Sequence, residues 1–586
     1  MAFDCFVLAN SLMEMKPLIT GAKINKISQI DRHTLIIRYH NAHNNGKLLL
    51  CAHPQNGRLH LTESNFNNPQ QPPLFCMVAR KWLESSTLIN VLQTPYERVA
   101  ELQFRCRNDL GDSIICRLII EIMGKHSNII LVNNGGIIID GIHHYNSNLS
   151  RYREVLPGIP YIPPPPQQKT FPSLSEEQLA EVLLTDDNIA LDQSVAAILP
   201  KHIAGISPLL AQNIVIESGL KPEINLNQLG QYEISRIAKC LQNLAHRYDT
   251  NDFSPTILYH EDMPIDFAAF PLVFWCSRNQ KQADSINAAI DEHYSVLEHQ
   301  QLFAKEKREL NKYLQKHISR LQKKIAAKEA ELAASEAGDD YQKYGDLLAA
   351  NLYYLRKGIN QVELDDLFAP GKSLIIPLDP SLSPQENIKR YYYRCGKCKK
   401  ANTIIKQQLD EDNQILSYLL SIAQSIEDSS SIEELAPIED EMNALFNIRN
   451  KAIKPKQNNS QPLPPRQYLS QDGFAILIGR NNKQNDRLTL KQAAGSDIWL
   501  HAQKIPGSHV IIKSEGREVP ITTIWQAASY AAWFSKAQSG NNVPVDYTLA
   551  AQVKKPNGAK PGMVIYFQQK TLYVEPVDPQ TINETP

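Results

Sequence analysis

The sequence predicts a multidomain α+β protein: an N-terminal α+β domain, a helical helix-hairpin-helix domain, a long antiparallel coiled-coil hairpin with a small insert, and a second α+β domain at the C-terminus. Three observations carry this expectation. The chain has 586 residues, enough for about four domains of ordinary size. Two proline-rich stretches punctuate it, and its apolar residues change from β-branched runs near both ends to helical spacing in the middle. Proline fixes φ and lacks an N–H. The prolines at 157, 160 and 163–166, and those at 455, 462, 464 and 465, therefore read as borders rather than element interiors.

Residues 1–170 form the first segment. Positions 34–39, 47–51, 113–122 and 128–132 are short and rich in β-branched residues, which predicts strands. Asn133, Asn134, Gly135 and Gly136 form a turn leading into 137–139, which predicts a hairpin, and 75–83 has helical spacing. Residues 175–275 read as helical, with short amphipathic pieces at 192–199 and 209–217. Gly205, Ile206, Ser207 and Pro208 lie between them. Such a turn can present N–H groups to a phosphate, but the pattern alone favours a packing unit. In residues 280–450, Leu310, Leu314, Ile318, Leu321, Ile325 and Leu332 lie on one helical stripe, and Ile405, Leu409, Leu416, Leu420 and Ala423 on another. Residues 371–378 belong to the insert between them. In residues 455–575, strands are expected at 474–479, 509–513, 563–567 and 571–574 and a helix at 524–537, with 576–586 as a tail.

Hydrophobic residues are 42% of the chain, enough to build buried cores, and the mean hydropathy is -0.34. No apolar run reaches the ~18–20 residues of a membrane helix. The start of the chain lacks the basic flank of an export signal, and the nine cysteines follow no disulfide framework, so the expectation is a cytoplasmic protein without membrane contact. The formal net charge of -1 conceals an asymmetry. From Lys451 to Val574 there are 16 Lys+Arg against 6 Asp+Glu, a net of +10, which leaves -11 for the remainder. Aromatic and hydrogen-bonding residues accompany these cations, among them Trp499, His501, Tyr530, Tyr547 and Tyr566. Residues 480–487 and 553–562 read as cationic loops. Lysine and arginine neutralise phosphates and release counterions, and planar side chains suit exposed bases, so this domain is expected to bind nucleic acid.

Enzyme motifs are missing: there is no P-loop, no GxGxxG after a strand and no GxSxG. Cys395 and Cys398 form a CxxC without the second ligand pair that zinc needs, and no cofactor is expected. His143, His144, His501 and His509 lack companion carboxylates at a diagnostic spacing. The cluster around Trp499, His501, Ser508 and His509 reads equally as a grip for ribose or phosphate and as a hydrogen-bonded turn. In that reading the Pro506–Gly507 turn exposes Ser508 and His509.

Taken together, several motifs resemble the NFACT family. They are His53–Pro54; Phe75, Cys76 and Met77 with Arg80 and Lys81; residues 121–128; Arg151, Tyr152, Arg153 and Glu154; residues 205–208, 345–348 and 376–379; Gly479, Arg480, Asn481 and Asn482; Trp499, Leu500 and His501; residues 505–509; and Lys554, Lys555 and Pro556. The resemblance spans nearly the whole chain in one order. It implies a scaffold that binds a large ribosomal subunit, and its rRNA, obstructed by peptidyl-tRNA. The scaffold would recruit alanyl-tRNA, direct template-free addition of C-terminal alanine, work with a small RNA-binding helper protein, and leave bond formation to the ribosome. It also implies tRNA contacts at Glu97 and Arg98, where the family has an Asp–Arg pair, and at Glu121, Ile122 and Met123. RNA-backbone contacts are expected from Arg480, Lys483, Arg487, Trp499, His501, Ser508, His509, Lys554, Lys555 and Lys560. Two rivals are a general RNA chaperone and a DNA glycosylase of the formamidopyrimidine type. The latter needs an N-terminal proline amine where this chain has Ala2. A surface adhesin is disfavoured for want of an export signal.

Overall fold

The computed structural model describes residues 3–41, 44–107, 111–148, 152–184, 192–275, 279–334, 337–367, 373–446 and 463–579. Arg151, Gly371, Lys372, the prolines at 455 and 462 and the tail beyond residue 579 lie outside the described residues. The chain is a multidomain α+β protein that divides into two compact units, Met1–Gln300 and Gln301–Pro586.

The first unit is organised by nine strands: β1 (Lys23–Gln29), β2 (Thr34–Asn41), β3 (Asn44–Cys51), β4 (Arg58–Leu61), β5 (Thr87–Gln93), β6 (Val99–Arg107), β7 (Ser113–Glu121), β8 (Asn128–Val132) and β9 (Ile138–Gly141). They pair in the order β4-β3-β2-β1-β5-β6-β7-β8-β9. Alternation sets the faces. On β6, Ala100, Leu102, Phe104 and Cys106 join the main core, while Val99 joins Ile119, Ile130 and Val132 in a smaller core on the other face. Helices α1 (Cys5–Ile19) and α2 (Leu74–Leu83) contribute to the main core. So do α3 (Glu176–Leu184), α4 (Val195–His202), α5 (Pro208–Glu217) and α6 (Gln231–Thr250), so one core is continuous from Phe3 to Tyr294.

The expectation that 175–275 is helical is corrected at its end. β10 (Thr256–His260), β11 (Met263–Ala268) and β12 (Asn279–Gln282) form a sheet in the order β11-β10-β12. Glu261 and Asp262, with φ of 47° and 61°, make the two-residue turn between β10 and β11. Positive φ at both turn positions matches the twist of a hairpin. This turn lacks the usual Asn-Gly signal, which is why the strands are hard to read.

Helix α7 (Ile286–Ala334) continues into the second unit. There α8 (Ala337–Ala350), a hairpin of β13 (Gln361–Asp365) and β14 (Ser373–Pro377), and the long α9 (Pro384–Glu427) follow. The expected stripes meet at one end, where Ile325 packs with Ile405 and Leu409; further along, Leu314 and Ile318 pack with Tyr418, Leu419 and Ile422, and the expected Leu416, Leu420 and Ala423 are only partly buried against the same core. Asp412 accepts from Lys324 and Lys328, each at 2.8 Å, while Asn311 donates to Glu427, so α7 and α9 run in opposite directions. Leu347, Leu348, Leu364, Ile376 and Tyr391 form a separate small core around the β13–β14 hairpin.

Helix α10 (Ile432–Leu445) leads to the C-terminal sheet, with β15 (Arg466–Leu469), β16 (Ala475–Ile478), β17 (Ile498–Ala502), β18 (Val510–Ile512), β19 (Val543–Leu549) and β22 (Lys570–Val574) in the order β15-β16-β18-β17-β19-β22. A two-strand ribbon pairs β20 (Val553–Lys554) with β21 (Ile565–Tyr566). Residues 480–487 are not the expected loop. They carry the short helix α11 (Asn482–Arg487), because the Asn481 side chain caps it by accepting from Gln484 N at 2.9 Å. Helix α12 (Ile521–Trp533) buries Ala527, Ala528, Tyr530 and Ala531 against this sheet. No helix among the described residues is long and apolar enough to cross a membrane.

Candidate nucleic-acid interface

The strand pairing of the first unit brings its two expected patches together. β6 and β7 align Val99 with Glu121, and Ile122 N donates to Arg98 O at 2.9 Å, so residues 97–98 and 121–123 share one end of the sheet. Ahead of them Tyr96 sits at φ 56°. That left-handed conformation is uncommon for an aromatic residue and is held by packing. Tyr96 stacks on Tyr248 at 4.5 Å and meets Phe6 edge-on at 6.3 Å.

Glu97 and Arg98 then line a cavity of about 330 Å³ with Asp4, Lys169, Gly205 and Ser207. Lys169 arrives because its neighbour Thr170 is pinned by hydrogen bonds to His202 O at 2.9 Å and from Ala204 N at 2.8 Å. Gly205, at φ +77°, passes so close to Cys5 that a Cβ would lie 2.7 Å from its Sγ. Ser207 caps α5 by accepting from Leu210 N at 3.2 Å, with Pro208 as the first helical residue. The positive end of α5, Arg98 and Lys169 thus converge on one cavity, with Glu97 and Asp4 as the acids of its lining. Burial lowers the Arg98 guanidinium and the Lys169 amine from their ordinary values. Asp4 opposes the shift on Arg98, and the neighbouring Arg98 charge adds to that on Lys169. Burial raises the Glu97 carboxyl, with Lys169 opposing. Sequence reasoning missed Lys169 and Asp4. The first follows the proline run, and the second caps helix α1, which the sequence did not reveal.

Asp4 Oδ1 accepts from Phe6 N and Val7 N, each at 3.0 Å, and Ser207 Oγ donates to Oδ2 at 3.2 Å. Burial nevertheless pushes its carboxyl up from 3.8 to about 6. The folded chain therefore binds this proton more tightly than the unfolded chain. The associated stability is full below about pH 4 and is lost as pH rises through the folded value, a change of about 3 kcal/mol. Asp4→Asn keeps an acceptor for the helix cap, and it is expected to remove this loss. Urea unfolding of both proteins between pH 4 and 7 checks it. Parallel pH profiles would assign the titration to another group.

Glu121 and Ile122, expected to touch RNA, are both 0% exposed in the free chain. Glu121 is held by a bidentate ion pair with Arg153 and by Tyr161, whose hydroxyl donates at 2.8 Å. Ile122 lies in the core, and only Met123 of the three is half-buried.

In the C-terminal domain the expected residues fall into separate groups. Arg480, Lys483 and Arg487 line a cleft of about 440 Å³ whose other wall carries Glu433 and Glu434. Arg480 is paired with Glu434 and donates from Nε to Pro464 O at 2.8 Å, so it ties α10 to the sheet, while Lys483 and Arg487 are exposed. Trp499, His501 and His509 line a second cleft. The Pro506–Gly507 turn does not expose Ser508 and His509, which are 6% and 2% exposed. Ser508 N donates to Phe534 O at 2.9 Å and His509 Nδ1 pairs with Thr489 Oγ1 at 2.8 Å, which draws both inward. Lys554, the last residue of β20, is exposed; on the loop that follows, Lys555 pairs with Asp486, and the Lys560 amine lies 4.9 Å from the centre of the Tyr418 ring. Cys395 and Cys398 lie on α9, with Cys395 Sγ 3.9 Å from Gln342 Oε1. No group of three or more metal-ligating side chains forms among the described residues.

A cavity of paired acids and bases on a large sheet-and-helix unit, and a basic sheet domain with one aromatic cleft, fit a multidomain RNA-binding class of protein. Residues 4–461 match the NFACT N-terminal and middle domains, and residues 465–566 match the NFACT protein RNA binding domain. The chain belongs to the NFACT family. It is 34% identical over 585 residues to the Rqc2 homolog RqcH of Bacillus subtilis (strain 168), covering 98% of each chain. It is 32% identical to the Rqc2 homolog RqcH of Streptococcus suis (strain 05ZYH33), covering 99% of each. More distantly, it is 23% identical to the human ribosome quality control complex subunit NEMF, over 61% of this chain and 34% of that one.

Proposed function

We propose that this protein is a cytoplasmic ribosome quality control factor. It binds large ribosomal subunits obstructed by peptidyl-tRNA, recruits alanyl-tRNA, and directs template-free addition of alanine to the stalled chain, which marks that chain for degradation. The observation that carries the reading is the convergence of Glu97, Arg98, Lys169 and the N-terminal end of α5 on one cavity. An arginine and a lysine beside the positive end of a helix suit an RNA phosphate, and a carboxylate suits a base N–H. Family membership and the names of the relatives support it further.

The mechanism is positional. Ribosomal RNA makes the peptide bond, and the protein supplies orientation, which removes an entropic cost from the reaction. The 1–170 and 175–275 domains hold tRNA, with the half-buried Met123 close by in sequence and Glu121 bracing the site. The 280–450 segment acts as a coiled-coil arm that anchors on the subunit. The 455–575 domain grips rRNA or tRNA backbone through Lys483, Arg487, Lys554 and their neighbours, and a small RNA-binding helper protein completes the cycle. No cofactor takes part.

The test is gradient sedimentation of the tagged protein with sequencing of its RNA. The expected result is comigration with large subunits, enrichment of alanine tRNA, and weakening of the association as salt rises. A random transcript set would support an RNA chaperone instead. Alanine tails that persist in a deletion strain would remove the proposed role.

A further inference from the structure

We propose that the cleft between α9 and the C-terminal sheet is a slot for one unstacked nucleobase of a bound RNA strand. The inference deepens the RNA-binding reading and rests on it. The cleft has a volume of about 380 Å³ and is lined by Tyr418, Asn482, Trp499, His501, His509 and Tyr566. That volume lies within the range of ~300–1,000 Å³ typical of small-ligand sites.

Three observations point to a base. First, Trp499 is 0% exposed, and its Nε1–H meets no acceptor among the described residues. Buried donors are nearly always paired, so an indole N–H on a cleft wall is matched to an incoming acceptor. Ring nitrogens and carbonyl oxygens of bases are such acceptors. Second, the walls are planar. The Trp499 and His501 rings lie within 13° of parallel, Tyr566 is 4.8 Å from Trp499 between ring centres, and His509 meets Trp499 at 86°. Of these rings the half-buried His501 and Tyr566 offer a face to a base, with Trp499 and His509 closed behind them, and aromatic faces stack bases with little regard to sequence.

Third, the interior is uncharged while the surroundings carry cations. Burial lowers both imidazoles from the ordinary histidine value, which keeps them neutral near pH 7. The acids are engaged within the protein: Tyr418 donates to Glu441 at 2.6 Å and Tyr566 to Asp546 at 2.8 Å. Lys504 is exposed on the lining, and Lys560 lies beside Tyr418. A phosphate inside would find no cation among the buried walls. A base inside, with its phosphates outside near Lys504 and Lys560, satisfies both regions. The turn beside Lys504 is preformed: a Cβ on Gly507 would lie 2.9 Å from Ser535 Cβ, so glycine lets the two segments close.

The experiment compares binding of the full chain to a short single-stranded RNA and to an abasic strand of equal length and charge. Fluorescence anisotropy is the readout. The base-bearing strand is expected to bind about 10-fold tighter. Trp499→Phe keeps a ring but deletes the N–H, and it is expected to reduce that preference several-fold. Lys504→Ala, on the surface, is expected to weaken both strands equally. Equal binding of the two strands by the unaltered protein overturns the slot and leaves RNA binding standing. Failure of both strands to bind overturns both readings. A preference unchanged by Trp499→Phe and by His501→Ala places base reading elsewhere and overturns the slot. Adenosine monophosphate competing as strongly as the strand identifies a free-nucleotide site and overturns the RNA occupant.

Discussion

Replacing Glu97 and Arg98 together with alanine is expected to abolish alanine tailing while the protein still sediments with large ribosomal subunits. The two groups line the cavity together with Tyr96 and the start of α5. Truncating one partner of a desolvated charged contact costs about 2–5 kcal/mol, or roughly 30- to 4,000-fold in affinity. In the proposed mechanism subunit binding is spread over many phosphate contacts, so losing one pocket leaves most of it intact. Arg98→Lys keeps the charge but loses the planar fork, and it is expected to tail at an intermediate rate. The Arg98 Nη1 also lies 3.5 Å from Phe3 O, so a thermal melt must accompany the assay. A folded double variant that tails at the normal rate would remove this pair from the mechanism.

Why this pocket was partly legible in the sequence is a matter of how it is built. The strands flanking it are dominated by Val, Ile and Leu, so β7 and β8 could be placed from residue type alone. Helix α1 could not. Its Asn10, Ser11 and Glu14 interrupt any apolar stripe, yet Ser11 and Glu14 are bonded inside the unit: Glu14 accepts from Ser285, Ile286 N and Asn287, and Ser11 donates to Leu59 O. Periodicity fails when polar residues are paired inside. Lys169 was equally hidden, because nothing local ties it to Arg98. The link is the bridge of Thr170 to Ile203, more than thirty residues along the chain. In the C-terminal domain, aromatic and basic residues announced a nucleic-acid surface, but composition carries no burial. It cannot tell Lys554, at the surface, from Arg480, spent on Glu434, or show that His509 turns inward.

Burial also decides what Glu121 does, and this has the largest consequence for stability. Glu121→Ala and Arg153→Ala are each expected to destabilise the first unit by about 3–5 kcal/mol, because either change leaves an opposite charge buried without its partner. The exposures of 0% for the Glu121 side chain and 9% for that of Arg153 place the pair in the desolvated regime rather than among surface bridges. Domains are commonly stable by only about 5–15 kcal/mol, so either change removes a large fraction. The double variant should lose less than the sum of the two, since no lone charge remains. Urea unfolding of the full chain, followed through the buried Trp275, measures this. The alternative, that Glu121 binds tRNA directly, makes the opposite pattern: unaltered unfolding with lost tailing. If Glu121→Ala unfolds like the unaltered protein, the brace is wrong. If it unfolds early but tails normally at a temperature where it remains folded, the carboxylate holds the Arg153 and Tyr161 side chains in place and takes no part in the RNA contact itself.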